Sequence, residues 1–181
     1  MKYEIIYCDP PWHYTRKQHS KTATTGGAIS HYPTVPLPKL KTLNVQSIAA
    51  QNSLCFMWIT SPLMPQGLEL MQAWGFEYKT VAFCWDKVKP NPGYYTMSQV
   101  ELCIVGKRGT IPQPRGARNC RQFFSKKKTR HSSKPAEFRR GIENMFPEQR
   151  KIELFARGSI SGWDTWGNQT DCSVDLRFID P

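Results

Sequence analysis

At 181 residues the chain has the length of one domain, and six tryptophans among 12% aromatic residues exclude a disordered chain. No apolar run reaches membrane-spanning length and no secretory leader precedes the first strand, so a soluble, cytoplasmic protein is expected. The formal charge of +11 is uneven: between Lys107 and Lys151 fourteen Lys or Arg face three Glu, which accounts for the whole excess. Such a segment favours a polyanionic partner, and nucleic acid over an acidic membrane because no amphipathic anchor accompanies the charge.

The first predicted element is the apolar strand Tyr3-Glu4-Ile5-Ile6-Tyr7-Cys8, which ends at Asp9-Pro10-Pro11-Trp12. Two prolines cannot donate ladder hydrogen bonds and fix φ, so the strand stops and a stiff turn follows. A carboxylate at the C-terminal end of a buried strand lies where open α/β sheets keep their ligands. His13 to His31 is polar and glycine-rich, which predicts a mobile loop. A helix is expected from Lys39 to Ala50, and Ser53 to Ile59 is a continuous apolar run, the pattern of a strand covered on both faces.

Pro62 and Pro65 suit the first turn of a helix whose apolar face would be Met64, Leu68, Met71 and Trp74, with Gly75 as its C-terminal cap. Phe76 to Trp85 and Val100 to Val105 read as strands, joined by a second mobile loop over about 86–98. That loop mixes lysines with tyrosines, so Lys87 would hold a phosphate backbone while Tyr94 stacks on a base. A third mobile stretch, about 107–133, is basic around the apolar pair Phe123-Phe124. A helix then starts near Pro135 with Phe138, Ile142, Met145 and Phe146 on one face, and Lys151 to Ala156 is another buried strand.

The six cysteines are widely separated, without a C-x-x-C pair, and read as reduced residues; the four histidines lack ligand spacing, so no metal site is expected. Alternating strands and helices predict an α/β sandwich with a mostly parallel sheet, organised as a single domain over residues 1–181.

Four motifs occur in order: Asp9-Pro10-Pro11-Trp12, Ser133-Lys134-Pro135, Glu153-Leu154-Phe155-Ala156-Arg157, and Gly162-Trp163-Asp164-Thr165-Trp166-Gly167-Asn168-Gln169. Together they resemble the adenine-N6 methyltransferase family that includes the catalytic subunit of the messenger-RNA adenosine methyltransferase and bacterial and phage members that act on DNA. The resemblance implies a Rossmann-like, circularly permuted fold, with the catalytic strand ahead of the strand that cradles the methyl donor, S-adenosylmethionine. It further implies that Lys134 pairs with the donor's carboxylate, that Arg157, Asn168 and Gln169 hold its ribose and adenosine part, and that Asp9 touches both the donor's amino group and the acceptor.

Those residue types suit the reaction. The lone pair of an exocyclic adenine amine is delocalised into the ring, and catalysis must localise it. Asp9 and the Pro10 carbonyl would accept the two amine hydrogens, with Pro11 stiffening the turn. Trp12, with His13 and Tyr14 beside it, would face the target base, and Arg115, Arg118, Arg121, Lys126, Lys127, Lys128 and Arg130 would bind phosphates. DNA is favoured over RNA as the partner. The alternatives left open are RNA adenosine methylation, methylation of a protein amide, and a non-catalytic nucleic-acid-binding subunit; the oligomeric state is open, a homodimer included.

Overall fold

Seven strands form one sheet in a computed structural model that describes residues 1–13, 33–127 and 134–179. In chain order they are β1 (Tyr3–Cys8), β2 (Ala49–Ile59), β3 (Glu77–Asn91), β4 (Ser98–Arg108), β5 (Phe123–Ser125), β6 (Lys151–Leu154) and β7 (Asp164–Trp166). Their spatial order is β5-β3-β4-β2-β1-β6-β7. β1 pairs in parallel with β2 and β6, β6 with β7 and β3 with β5, whereas β4 runs antiparallel to both β2 and β3. The expected α/β sandwich with a mostly parallel sheet is therefore observed.

This topology places function at one edge. The carboxyl ends of β1, β2, β3, β5, β6 and β7 and the amino end of β4 lie together, as the ligand edge of an open α/β sheet should.

Alternation along the strands divides the core in two. Ile6 and Cys8 of β1 join Cys55, Met57 and Ile59 of β2 under helices α1 (Leu37–Lys41) and α2 (Met64–Ala73). Ile5 and Tyr7 point the other way, into an aromatic layer of Phe56, Trp58, Phe83, Trp85, Phe138 and Trp163 beneath α3 (Ala136–Met145). The strand at β2 is buried on both faces over its apolar run, which is why its sequence lacks alternation. On α3, Phe138, Ile142 and Phe146 are buried and Met145 is partly so, as the periodicity predicts.

Three expectations need correction. The helix read over 39–50 is only α1 followed by a 3-10 turn at Val45–Ser47, and β2 already begins at Ala49. The C-terminal segment ends that helix: Asn44 N–H donates to the Arg177 carbonyl and Ile179 N–H to the Thr42 carbonyl, an arrangement that no local propensity encodes. On α2 the buried positions are Gly67, Leu70 and Met71, while Leu68 faces solvent; Gly67 lets the helix press against Ile59. Third, the stretch over 86–98 is not one long loop, because β3 continues to Asn91 and β4 begins at Ser98, which leaves only residues 92–97 as the connection.

The strand β7 is an addition that the sequence did not suggest. No helix among the described residues is long and apolar enough to cross a membrane. The predicted loop at 13–31 and the end of the third predicted loop fall largely outside the described residues.

Candidate active site

Asp9 follows Cys8, the last residue of β1, and its carboxylate emerges at the ligand edge on the α3 side of the sheet. The turn after it is pinned at three points. Trp12 N–H donates to the Pro10 carbonyl at 2.8 Å, Val35 N–H donates to the Pro11 carbonyl at 2.8 Å, and the Trp12 indole N–H donates to the Trp58 carbonyl at 3.0 Å. Since a carbonyl oxygen has two lone pairs, Pro10 keeps one acceptor site after binding Trp12.

Lys134, just ahead of α3, donates from Nζ to Asp9 Oδ2 at 2.6 Å and lies 3.0 Å from Glu101 Oε2 on β4. Glu101 in turn meets Lys87 Nζ of β3 at 3.3 Å. The result is an alternating row of two carboxylates and two ammonium groups, mostly shielded from solvent, with Lys134 5.3 Å above the centre of the Trp58 ring. Unpaired charges at such depth would be costly, and the alternation removes that cost.

The row also sets the titration of its members. Burial raises the Asp9 carboxyl above its ordinary value, with Lys134 pulling against that rise and Glu101 adding to it. For Glu101, burial opposes the charge, but Lys134 and Lys87 together hold its carboxyl below the ordinary range. Burial would lower the Lys134 ammonium as well, and the Asp9 and Glu101 carboxylates more than reverse that, so it stays protonated. A second buried pair lies alongside: Arg139 of α3 donates to Glu153 Oε2 of β6 at 2.7 Å.

The remaining edge positions come from β6 and β7. Phe155 takes up a left-handed backbone conformation, φ 59°, and is wedged between Trp74 and Trp166, so the chain turns out of β6 there and leaves Arg157 exposed. Arg157 is near enough to favour ionisation of Asp9. After β7, Gly167 lies against Ala156; a side chain there would come within 2.7 Å of the Ala156 nitrogen and closer still to its carbonyl oxygen. This close approach carries Asn168 and Gln169, both exposed, to the same edge. The edge therefore offers a carboxylate, a lysine with one N–H beyond those given to Asp9 and Glu101, an arginine and two amides. That donor and acceptor set fits a ligand bearing an ammonium group, a carboxylate and ribose hydroxyls.

Several sequence-predicted site residues sit elsewhere. Trp12 is 6% exposed and packed into the core under α1 and α2, so its ring is an anchor for the turn and is not presented to a base. Lys87 is turned inward to Glu101 and is not displayed to a phosphate backbone, because the buried carboxylate needs a cation. Arg115 is half-buried with its guanidinium 4.9 Å from the centre of the Phe146 ring, beside the carbonyls of Asn144 and Met145 that bond the next two residues; this is the far end of α3 from Asp9. Arg118, Arg121 and Lys127 are exposed, as is Lys126, which pairs with Glu137. His13 is exposed and shares a hydrogen bond with Thr34 at 2.9 Å, and Tyr94 is exposed on the β3–β4 connection. Tyr14, Lys128 and Arg130 lie outside the described residues.

Glu101 and the Arg139–Glu153 pair are what sequence reading missed. Their signal was present: a lone acid inside an apolar run, Val100 to Val105 or Lys151 to Ala156, demands a buried cation from elsewhere. Among the described residues, no group of His, Cys, Asp and Glu is arranged to hold a metal ion, and the six cysteines are unpaired.

Replacing Lys134 by Met should move the Asp9 titration, followed by carboxyl carbon NMR, to higher pH, since the cation that opposes burial is gone; an unmoved or lower midpoint contradicts the coupling. Trp12→Phe should lower stability by about 1–3 kcal/mol through the lost indole bond and volume, with nucleic-acid affinity unchanged. Weakened affinity at an unchanged melting temperature would instead mark a stacking residue.

The MT-A70 family model matches residues 3–169. A protein of a Mycoplasma species named Type II methyltransferase M.MunI is 47% identical over 179 residues, which cover 92% of this chain and 77% of that protein. A putative N(6)-adenosine-methyltransferase MT-A70-like protein of Medicago truncatula is 31% identical over 191 residues, 99% of this chain and 28% of its own length. The human N(6)-adenosine-methyltransferase catalytic subunit METTL3 is 26% identical over 190 residues, 99% of this chain and 30% of its own. This chain thus spans less than a third of the two eukaryotic proteins.

Proposed function

We propose, for a chain that belongs to the MT-A70 family and is an adenine-N6 methyltransferase, that its substrate is adenine in DNA and that Asp9 is the group on which the amine is held. The observation that carries this is the Asp9 carboxylate at the carboxyl end of β1, fixed by Lys134 and followed by a pinned Pro-Pro turn with a spare carbonyl acceptor. The type II methyltransferase, at 47% identity and matched over most of both chains, supports DNA over RNA. So do the exposed Arg118, Arg121, Lys126 and Lys127, which a phosphate backbone would neutralise.

The donor would be held by Asp9, Lys134, Arg157, Asn168 and Gln169. When bound, S-adenosylmethionine supplies a methyl group made electrophilic by its sulfonium. The protein's own task is to prepare the amine. Asp9 accepts one N–H and the Pro10 carbonyl the other, which favours a pyramidal nitrogen whose lone pair faces the methyl, and both acceptors are already in place before substrate arrives. Forming the new C–N bond at the expense of the methyl–sulfur bond, with the neutral thioether leaving, would put a positive charge on the nitrogen, which must then shed a proton. Asp9, holding one of its N–H groups, would take that proton, and a carboxyl raised by burial takes a proton more readily than a solvated one. Lys134 keeps Asp9 ionised for the first of these roles and oriented for both. Phosphate contacts from the basic strip orient the polymer without reading its sequence.

The test is incubation of wild type and Asp9→Ala with methyl-labelled donor and, separately, DNA and RNA. Wild type should label DNA in preference to RNA, and Asp9→Ala should reduce transfer by about 1000-fold or more while DNA affinity stays within about twofold, the scale expected when a group acts on the transition state alone. Preferential labelling of RNA overturns the substrate, and turnover retained by Asp9→Ala removes Asp9 from the mechanism.

A further inference from the structure

The β3–β4 ribbon runs on beyond Glu101 at the ligand edge. Glu101 pairs with Trp85, Val100 with Asp86 and Ser98 with Asn91, so the three residues from Glu101 to Ser98 carry the ribbon about 10 Å outward at about 3.3 Å each. That reach is comparable with the depth of a DNA major groove, about 8.5 Å. At its tip Val88, Tyr94, Tyr95 and Met97 are exposed, Tyr95 completely. An apolar cluster standing in solvent at the mouth of a site calls for an occupant.

The ribbon is fixed at its base. Asp86 accepts hydrogen bonds from Gln99 Nε2 at 2.7 Å, from Ser125 Oγ at 2.8 Å and from Val88 N–H at 2.8 Å. Val88, β-branched, is thereby held at φ 67°, a conformation that persists only where its surroundings fix it. At Gly93 a side chain would lie 3.2 Å from the Ser98 nitrogen and closer to the Thr96 carbonyl oxygen, so the connection closes as tightly as glycine allows.

Charge identifies the occupant. Residues 87–98 contain no acidic side chain, Lys89 is exposed on the ribbon, and Lys126 and Lys127 follow β5, whose Ser125 pairs with Asp86 at the ribbon's base. Apolar rings flanked by cations match a stack of bases flanked by phosphates. A duplex adds a specific need, since its target base must leave the stack to reach Asp9 and the stack must be supported while it is gone.

We propose that the ribbon tip, with Tyr94 and Tyr95 as its planar elements, is a wedge that enters duplex DNA next to the target and stacks on the bases left behind when the adenine turns out to Asp9. The inference rests on the DNA reading and goes beyond it: the ribbon serves duplex substrates and is dispensable on single strands, where no stack has to be opened.

The experiment compares wild type, Tyr94→Ala/Tyr95→Ala and Tyr94→Phe/Tyr95→Phe on bacterial DNA free of adenine methylation, native and heat-denatured, and on RNA, with melting temperature and sedimentation measured for each protein. The alanine variant should lose about tenfold to hundredfold in kcat/KM on native DNA, the loss expected from one or two stacking contacts, and stay within about twofold on denatured DNA. The phenylalanine variant should retain activity on both. Equal losses on the two forms, or no loss on native DNA, overturn the wedge. So does conversion of a dimer to a monomer by the alanine variant, which would make the patch a contact between copies of this chain. Wild-type transfer to RNA but to neither form of DNA would overturn the substrate reading itself, and the wedge with it.

Discussion

The structure depends on one shared cation. Lys134 lies between Asp9 and Glu101, and through Glu101 it reaches Lys87, so four side chains from β1, β4, β3 and the start of α3 meet in one row. Removing Lys134 would strand the Asp9 carboxylate, and removing Glu101 would strand the Lys87 ammonium, each in a place where water is scarce. The row therefore ties the residue just ahead of α3, and through Glu101 the β3–β4 pair, to the carboxyl end of β1. The aromatic layer supports it from below, with the Trp58 indole N–H bonded to the Tyr7 hydroxyl at 2.6 Å and its ring face turned to Lys134.

Much of this was legible in the sequence, for definite physical reasons. Apolar runs of strand length at Tyr3 to Cys8, Ser53 to Ile59 and Lys151 to Leu154 are strands because nothing else buries them so well, and two prolines after Asp9 could only end the first. What was not legible required partners far along the chain. Lys134 and Asp9 are 125 residues apart, and no local pattern announces that Lys87 turns inward while Lys89 stays in solvent. The sequence Asp86 to Asn91 looks like a loop because it is polar and holds Pro90. It extends as a strand nonetheless, since β5 pairs only with Cys84, Trp85 and Asp86, so beyond Asp86 the prolyl nitrogen faces no strand on the β5 side. Trp12 misled for the opposite reason: a tryptophan beside a strand-end carboxylate suggests a stacking platform, and here it is the plug that holds the turn.

The charge excess, one continuous tract in the sequence, is divided by the fold. Arg115 packs at the far end of α3, Arg139 is spent on Glu153, and Lys134 belongs to the buried row. Arg118, Arg121, Lys126 and Lys127 remain on the surface, the last two at the carboxyl end of β5. One tract of sequence thus supplies both Lys134 and Arg139 for the interior ion pairs and the cations left on the surface.

On the proposed chemistry, Asp9 and the Pro10 carbonyl together prepare an exocyclic adenine amine. That chemistry is tested most directly by the identity of the methylated nucleoside, measured by mass spectrometry after complete digestion of DNA treated with the protein and methyl donor. N6-methyladenine is the expected product. Methyl groups on a cytosine, or on a ring nitrogen of adenine, would contradict it.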